Sequence, residues 1–77
     1  MEIKEFIQNF ADQFVETEIS AFTSETVFHE LEEYSSLTAL SIIAMIDEMY
    51  GVPIGSNEMR TSITIEDLFN IVKAKVK

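Results

Sequence analysis

Ser35 and Ser36 are the residues whose type and position best suit chemistry in this chain. They stand side by side after the acidic segment EEY and before the apolar run LTALSIIAMIDEMYG. A serine in front of an apolar helical run is a common N-cap, which stabilises a helix by about 0.5–2 kcal/mol. The same place suits a covalently attached phosphate, because the first N–H groups of a helix are unpaired and the helix dipole is positive there. Spacing alone favours the cap and keeps the attachment site as the alternative.

The remaining inventory of reactive side chains is small. The chain has one histidine and no cysteine, and it contains neither a glycine-rich phosphate loop nor a recognisable metal-ligand spacing. We assign no role to His29, since a lone histidine beside Phe28 is more often an exposed or hydrogen-bonded structural residue than a catalyst. Glu30, Glu32 and Glu33 lack the spaced oxygen ligands of a cation loop, and we interpret them as a solvated acidic patch. We therefore expect a protein that is not an enzyme and holds no metal.

Composition indicates one small acidic domain. The 77 residues, 47% of them hydrophobic, suit a single core, so we expect one domain over residues 1–77. Fourteen acidic against five basic residues give a net charge of −9, which disfavours nucleic acid and anionic membranes and favours partners with basic patches. The absence of cysteine fits a cytoplasmic protein and means that any thiol must come from a cofactor. Neither a membrane span nor a signal peptide is predicted.

Apolar periodicity predicts an all-α bundle of three main helices and one short minor helix. Helix one covers residues 3–15, where apolar side chains recur three and four apart: Ile3, Phe6, Ile7, Phe10, Ala11, Phe14 and Val15. Helix two begins after the cap Ser35 and ends at Gly51. The minor helix lies near residues 57–60, and the last helix opens at Thr64 with acids in its first turn and lysines in its last.

Residues 16–34, between the first two helices, predict a long loop that is anchored to the core. Ser and Thr are frequent here and no single period holds, but four apolar side chains could pin the loop: Phe22, Val27, Phe28 and Leu31. A structureless stretch of this length is uncommon in a compact domain. It points either to a hidden helical turn or to a function, and the sequence leaves both open.

Helix two has apolar residues on both of its sides. At about 100° per residue, one side is expected to face the core: Ala39, Ile42, Ile43, Ile46 and Tyr50. The other side mixes apolar and acidic residues and is too apolar for a face that meets only solvent. We expect it to be a docking surface for partner proteins: Leu37, Leu40, Ala44, Met45, Asp47 and Glu48.

The stretch SSLTALSIIAMIDEMYGVPI resembles the modification site and second helix of acyl carrier proteins. In that family an Asp-Ser-Leu triplet opens the helix and its serine carries 4′-phosphopantetheine. Ser35, Ser36 and Leu37 fall on this triplet. The similarity continues through five further positions of the helix: Ile43, Ile46, Asp47, Glu48 and Tyr50. The segment ITIEDLFNIV is similar to the family's last helix, so the resemblance covers essentially the whole chain.

The resemblance implies an acyl-carrier-like bundle that carries cargo and catalyses nothing itself. A phosphopantetheinyl transferase would move the 4′-phosphopantetheine arm from coenzyme A to Ser36, and the distal thiol would hold an acyl or aminoacyl group as a thioester. Enzymes that load and process the cargo, in fatty acid, polyketide or related biosynthesis, would dock on helix two. Ser35 stands where the family has Asp, and EEY replaces its glycine-containing approach. These differences imply a specialised member, which we expect to be a cytoplasmic monomer.

The two adjacent serines are expected to have different roles. As N-cap, Ser35 turns its oxygen inward to accept a backbone N–H, whereas Ser36 at the first helical position is freer to react. The alternative function is a non-catalytic acidic helical adaptor without a prosthetic group. In that case both serines serve only as the first residues of a helix.

Overall fold

The chain folds into four α-helices. The structure, a computed structural model, describes residues 1–76, so Lys77 at the end of the expected domain lies outside it. The helices are α1 (Ile3–Ala11), α2 (Ser36–Tyr50), α3 (Ser56–Thr61) and α4 (Ile65–Lys75). The described part of the chain has no strand and only an isolated antiparallel bridge between Val27 and Thr64. The predicted all-α architecture of three main helices and one minor helix is confirmed.

Phenylalanines from α1 and from the following loop form the centre of the core. Phe6, Phe10 and Phe28 are fully buried. The rings of Phe10 and Phe28 meet edge to face with their centroids 5.3 Å apart, and those of Phe14 and Phe22 lie 4.9 Å apart. Tilted and edge-on pairs at these distances stabilise aromatic cores beyond the area that they bury. The long loop is therefore pinned to the core through Phe22 and Phe28, as its sequence predicts.

Helix α1 ends four residues before the apolar spacing predicts. After Ala11 the amides of Gln13 and Phe14 bond to carbonyls three residues back, at 3.1 and 2.9 Å, and the chain turns. Phe14 is still buried, but Val15 has 90% of its surface exposed. The prediction that Val15 continues the buried stripe is wrong, because the chain leaves the helix before reaching it.

The loop between α1 and α2 contains two single 3₁₀ turns, Ile19–Ala21 and Phe28–Glu30. These are the helical turns that its length suggested. The loop also supports the last helix, since the Ile65 amide at the start of α4 donates to the Thr26 carbonyl at 3.1 Å. The loop is thus fixed at both the core and α4.

Helix α2 begins and ends at the predicted residues. Ser35 is its N-cap, and Gly51 follows its last residue with φ of 67°. That left-handed conformation favours glycine, which has no Cβ to clash with the preceding carbonyl. Ile42 and Ile46 on the predicted core side are fully buried, and Ala39, Ile43 and Tyr50 pack partly buried against them. Packing of this side against the core sets the direction of the helix start.

Candidate functional site

Ser35 and Ser36 differ in position at the start of α2. Ser35 has extended backbone angles, and its Oγ accepts a hydrogen bond from the Thr38 amide at 3.4 Å. The Thr38 hydroxyl also lies 3.3 Å from that oxygen. Ser36 is the first helical residue and its side chain is exposed. The predicted cap at Ser35 is confirmed, and the neighbouring hydroxyl faces solvent.

Both serines line an open groove between the start of α2 and α3. The groove has a volume of about 390 Å³. Met59 in its wall is buried, and Ala39 and Ile43 are half-buried, so the groove offers an apolar surface. The complete lining is His29, Tyr34, Ser35, Ser36, Ala39, Leu40, Ile43, Ser56, Met59 and Arg60. A group tethered to Ser36 has an apolar surface within its immediate reach.

Arg60 supplies the groove with a positive charge. Its Nη2 donates to the Asn57 side-chain oxygen at 3.1 Å, which leaves other guanidinium N–H groups available for an anion. Arg60 is one of only five basic residues in a chain of net charge −9. An anionic group on Ser36 would therefore meet the positive end of α2 and a guanidinium in the same groove.

His29 fastens the loop to the end of α3. Its Nε2 lies 2.9 Å from the carbonyl oxygen of Met59 and 3.0 Å from that of Ser62. Both oxygens are acceptors, so Nε2 carries the proton and donates to them. The imidazole also stacks on Phe28, with centroids 4.4 Å apart, and meets Tyr34 edge-on at 5.0 Å. The interpretation of His29 as a hydrogen-bonded structural residue is confirmed.

Glu33 lies at the surface, as the acidic-patch interpretation expects, but its carboxylate also binds backbone amides of the segment after α1. Its carboxylate accepts hydrogen bonds from the amides of Val15, Glu16 and Thr17, at 2.6, 2.9 and 2.9 Å. It also accepts one from the Thr17 hydroxyl at 2.7 Å. These bonds, and the Val15 amide most strongly, lower the pKa of the Glu33 carboxyl. The sequence offered no signal for this contact, which joins residues 16–18 positions apart.

Five of the six predicted docking residues lie on the solvent side of α2. Leu37 and Leu40 are 78% and 61% exposed. Ala44, Asp47 and Glu48 are exposed as well. We call these five residues the outer surface of α2. It combines apolar side chains with two carboxylates, which is the mixture expected of a surface that binds basic partners.

Met45 is the exception among the predicted docking residues. It is only 6% exposed and packs in the core beside Ile42 and Ile46, so its assignment to the docking surface is wrong. These three positions, spaced three and four apart, form the buried stripe of α2, because the helix is rotated slightly from the predicted orientation. Met49, four residues after Met45 on the same side of α2, is nevertheless 55% exposed.

The described part of the chain has neither a cluster of metal ligands nor a helix that could span a membrane. Residues 1–76 contain no group of three or more His, Cys, Asp or Glu side chains that could hold a metal ion. None of the helices within these residues has both the length and the apolar character needed to cross a bilayer.

Comparison with known proteins identified no relative. No family model matches the chain, and neither the curated proteins nor the solved structures contain a match. The chemistry of the groove and of the two serines is therefore the basis on which a function can be argued.

Proposed function

We propose that this chain is a carrier protein that holds acyl groups as thioesters on a 4′-phosphopantetheine arm attached to Ser36. The observation that carries the proposal is the position of Ser36. Its exposed hydroxyl is on the first residue of a 15-residue helix and borders the apolar groove, while Ser35 serves as the cap. The resemblance of SSLTALSIIAMIDEMYGVPI to the modification site of acyl carrier proteins supports the same residue.

Attachment requires Ser36 to act as a nucleophile toward coenzyme A on a phosphopantetheinyl transferase. Its Oγ forms a bond to the phosphorus next to the pantetheine, and the pyrophosphate bond breaks. Adenosine 3′,5′-bisphosphate leaves, and the hydroxyl proton passes to a base of the transferase. The resulting phosphodiester anion is favoured beside the unpaired N–H groups of α2 and the Arg60 guanidinium.

The residues of the groove fit such an arm. Its phosphate end would meet Ser36 and Arg60, and its chain would lie against Ala39, Ile43 and Met59. When bound, the group supplies the thiol that forms the thioester, which a chain without cysteine cannot provide. The cargo is then a fatty acyl, polyketide or aminoacyl group, carried between enzymes and not transformed by this chain.

The outer surface of α2 is the proposed docking site for those enzymes. Exposed Leu37 and Leu40 offer apolar contact, and Asp47 and Glu48 attract basic patches. The net charge of −9 strengthens that attraction and disfavours nucleic acid. A carrier of this kind acts as a monomer, and the absence of cysteine fits the reducing cytoplasm.

The experiment that tests the proposal measures the intact mass of wild type, Ser36→Ala and Ser35→Ala after incubation with coenzyme A and a broad-specificity transferase. We expect wild type and Ser35→Ala to gain one phosphopantetheinyl group and Ser36→Ala to gain none. Ser35→Ala should lower stability by only about 0.5–1 kcal/mol, since its cap bond is long at 3.4 Å. A fragment map places the adduct.

Two results would contradict the proposal. An adduct that survives Ser36→Ala but is lost with Ser35→Ala would move the attachment site by one residue. A wild-type chain that gains no mass with several transferases would favour the alternative, an acidic helical adaptor without a prosthetic group. The outer surface of α2 would then be its binding site, and Ser36 would only begin the helix.

A further inference from the structure

Glu33 links the end of α1 to the start of α2 through both of its polar ends. Its side chain accepts hydrogen bonds from the amides of Val15, Glu16 and Thr17. Its backbone carbonyl accepts a hydrogen bond from the Thr38 hydroxyl at 3.0 Å. The side chain of Glu33 thus binds residues that precede it by 16–18 positions, and its backbone carbonyl binds a residue that follows it by five. We call this arrangement the Glu33 clamp.

The Glu33 clamp reaches the serines through Thr38. Thr38 lies in the first turn of α2, donates its amide to Ser35 Oγ at 3.4 Å, and holds its hydroxyl 3.3 Å from the same oxygen. The chain of hydrogen bonds thus runs from the end of α1 through Glu33 and Thr38 to Ser35. It stops one residue before Ser36, the first residue of α2.

Besides core packing, few other polar contacts hold the start of α2 in place. The first turn has no acidic residue, and the cap bond of Ser35 is long. The approach segment carries one further backbone bond, from the Tyr34 amide to the Leu31 carbonyl at 3.0 Å. The Tyr34 ring also packs against Phe28 and His29, with centroids 5.4 and 5.0 Å apart. Glu33 therefore supplies most of the hydrogen bonds of residues 33–35, while Tyr34 supplies their apolar packing.

The Glu33 clamp lies at the surface, so its loss should act locally. The bonds from Val15 and Glu16 are exposed, and water can replace the carboxylate at those amides. The core beneath is independent of them, because Phe10, Phe28 and Ile42 are fully buried. Releasing the clamp should loosen the approach to α2 while the bundle stays folded.

We propose that Glu33 is a positioning residue for Ser36. This assignment rests on the proposed function, attachment of an arm at Ser36. With the clamp closed, the Ser36 hydroxyl is presented in one direction to the transferase. With it open, the hydroxyl samples several directions and fewer encounters are reactive. Such a loss of orientation reduces kcat, whereas KM is set by the outer surface of α2, which the clamp does not touch.

The experiment compares Glu33→Gln with Glu32→Gln, which makes the same charge change at the adjacent, exposed carboxylate. The rate of mass gain with coenzyme A and a broad-specificity transferase gives kcat and KM. Hydrogen exchange reports the amides of residues 15–17 and of Thr38. We expect Glu33→Gln to lower kcat about tenfold with unchanged KM and to speed exchange at those amides. Glu32→Gln should stay within about twofold of wild type on every measure.

A second variant keeps the test decisive if Glu33→Gln fails to fold. Thr38→Val preserves the shape of the first turn of α2 and removes the hydroxyl that bonds to the Glu33 carbonyl. We expect it to lower kcat by about threefold, also without a change in KM. Circular dichroism shows which variants are folded.

The outcomes separate the two proposals. Equal kcat for Glu33→Gln and Glu32→Gln, or unchanged exchange at residues 15–17, overturns the assignment of Glu33 and leaves the attachment site standing. A wild-type chain that gains no mass overturns the proposed function and the positioning role with it. If Glu33→Gln is unfolded, unchanged kcat in Thr38→Val overturns the assignment.

Discussion

Helices α2 and α4 both begin with a hydroxyl cap, but of the two only α4 has a complete capping box. Thr64 Oγ1 accepts the Asp67 amide at 3.1 Å, and the Asp67 carboxylate accepts the amides of Thr64 and Ile63 at 3.0 and 3.1 Å. These partners lie within four residues of one another, as in a capping box. The amides of Ile65 and Glu66 also donate to the loop carbonyls of Thr26 and Ser24, at 3.1 and 3.0 Å. The start of α2 has the weaker cap of Ser35 and depends on Glu33, which reaches back to the end of α1.

The two helices also differ in how many apolar residues they leave exposed. The apolar residues of α4 that face the core are all buried: Ile65, Leu68, Phe69 and Val72. Helix α2 buries one stripe and leaves three large apolar residues in solvent: Leu37, Leu40 and Met49. Charged residues complement the dipole of α4 at both ends, whereas α2 has neither acids in its first turn nor bases in its last. Helix α4 is thus built for stability, and α2 combines a core side with a surface suited to binding.

The largest expected difference between the helices is in the cost of truncating a leucine. Leu68 in α4 is fully buried, so Leu68→Ala should lower the free energy of unfolding by about 2–5 kcal/mol. Leu37 in α2 is mostly exposed, so Leu37→Ala should change it by less than about 0.5 kcal/mol. Urea denaturation followed by circular dichroism measures both. Equal losses would mean that Leu37 supports the fold and that α2 has no free apolar surface.

The sequence predicts the ends of the helices better than their orientation. Ser35, Gly51 and Thr64 act through bonds to residues close in the chain, so the signals are local and the predicted boundaries of α2 and the start of α4 are correct. Met45 and Val15 were misassigned for tertiary reasons. A helix that is apolar on both sides has no unique core side until α2 meets the rest of the bundle, and apolar spacing continues past the turn that ends α1.

In the candidate site, too, the locally determined features could be predicted from the sequence and the long-range ones could not. The cap and the exposed serine follow from local spacing, so both could be predicted. The groove requires α2 to be placed beside α3, and the Glu33 clamp joins residues 16–18 positions apart. Glutamates in sequence look alike, and only the folded chain distinguishes Glu33 from exposed Glu32. Long-range contacts of this kind have no periodicity to reveal them.

A smaller effect is expected from reversing one charge on each helix. Glu48→Lys alters the outer surface of α2 and should raise the KM of the transferase about fivefold in low salt. Glu66→Lys makes the same charge change at an exposed residue of α4 and should leave KM within about twofold of wild type. The difference should shrink as salt rises from about 0.05 M to about 0.5 M, since the attraction is screened. Identical KM values for both variants would remove α2 as the docking element.

The smallest expected effect is the response of the two helix starts to acid. Bonds from backbone amides, led by Val15 for Glu33 and by Thr64 for Asp67, hold the pKa of each carboxyl below its usual value of 4.5 or 3.8. A carboxyl whose folded pKa is lowered contributes stability that is fully present above the unfolded pKa and is lost as pH falls through the folded pKa. The free energy of unfolding should therefore decrease as pH falls below about 4.5 for Glu33 and below about 3.8 for Asp67.

Glu33→Gln and Asp67→Asn should each flatten this decrease, and urea denaturation between about pH 7 and about pH 3 measures it. Both carboxyls lie in contact with solvent, so each slope is shallow.

The stability test does not separate the two variants, but the rate at which the transferase modifies Ser36 at neutral pH should differ between them. In Asp67→Asn the transferase should modify Ser36 at the wild-type rate, because Thr64 still caps α4 and the start of α2 is unchanged. Slow modification of Ser36 in Asp67→Asn would show that loosening either helix start disturbs Ser36. The contrast between the capping box of α4 and the dependence of α2 on Glu33 would then fail.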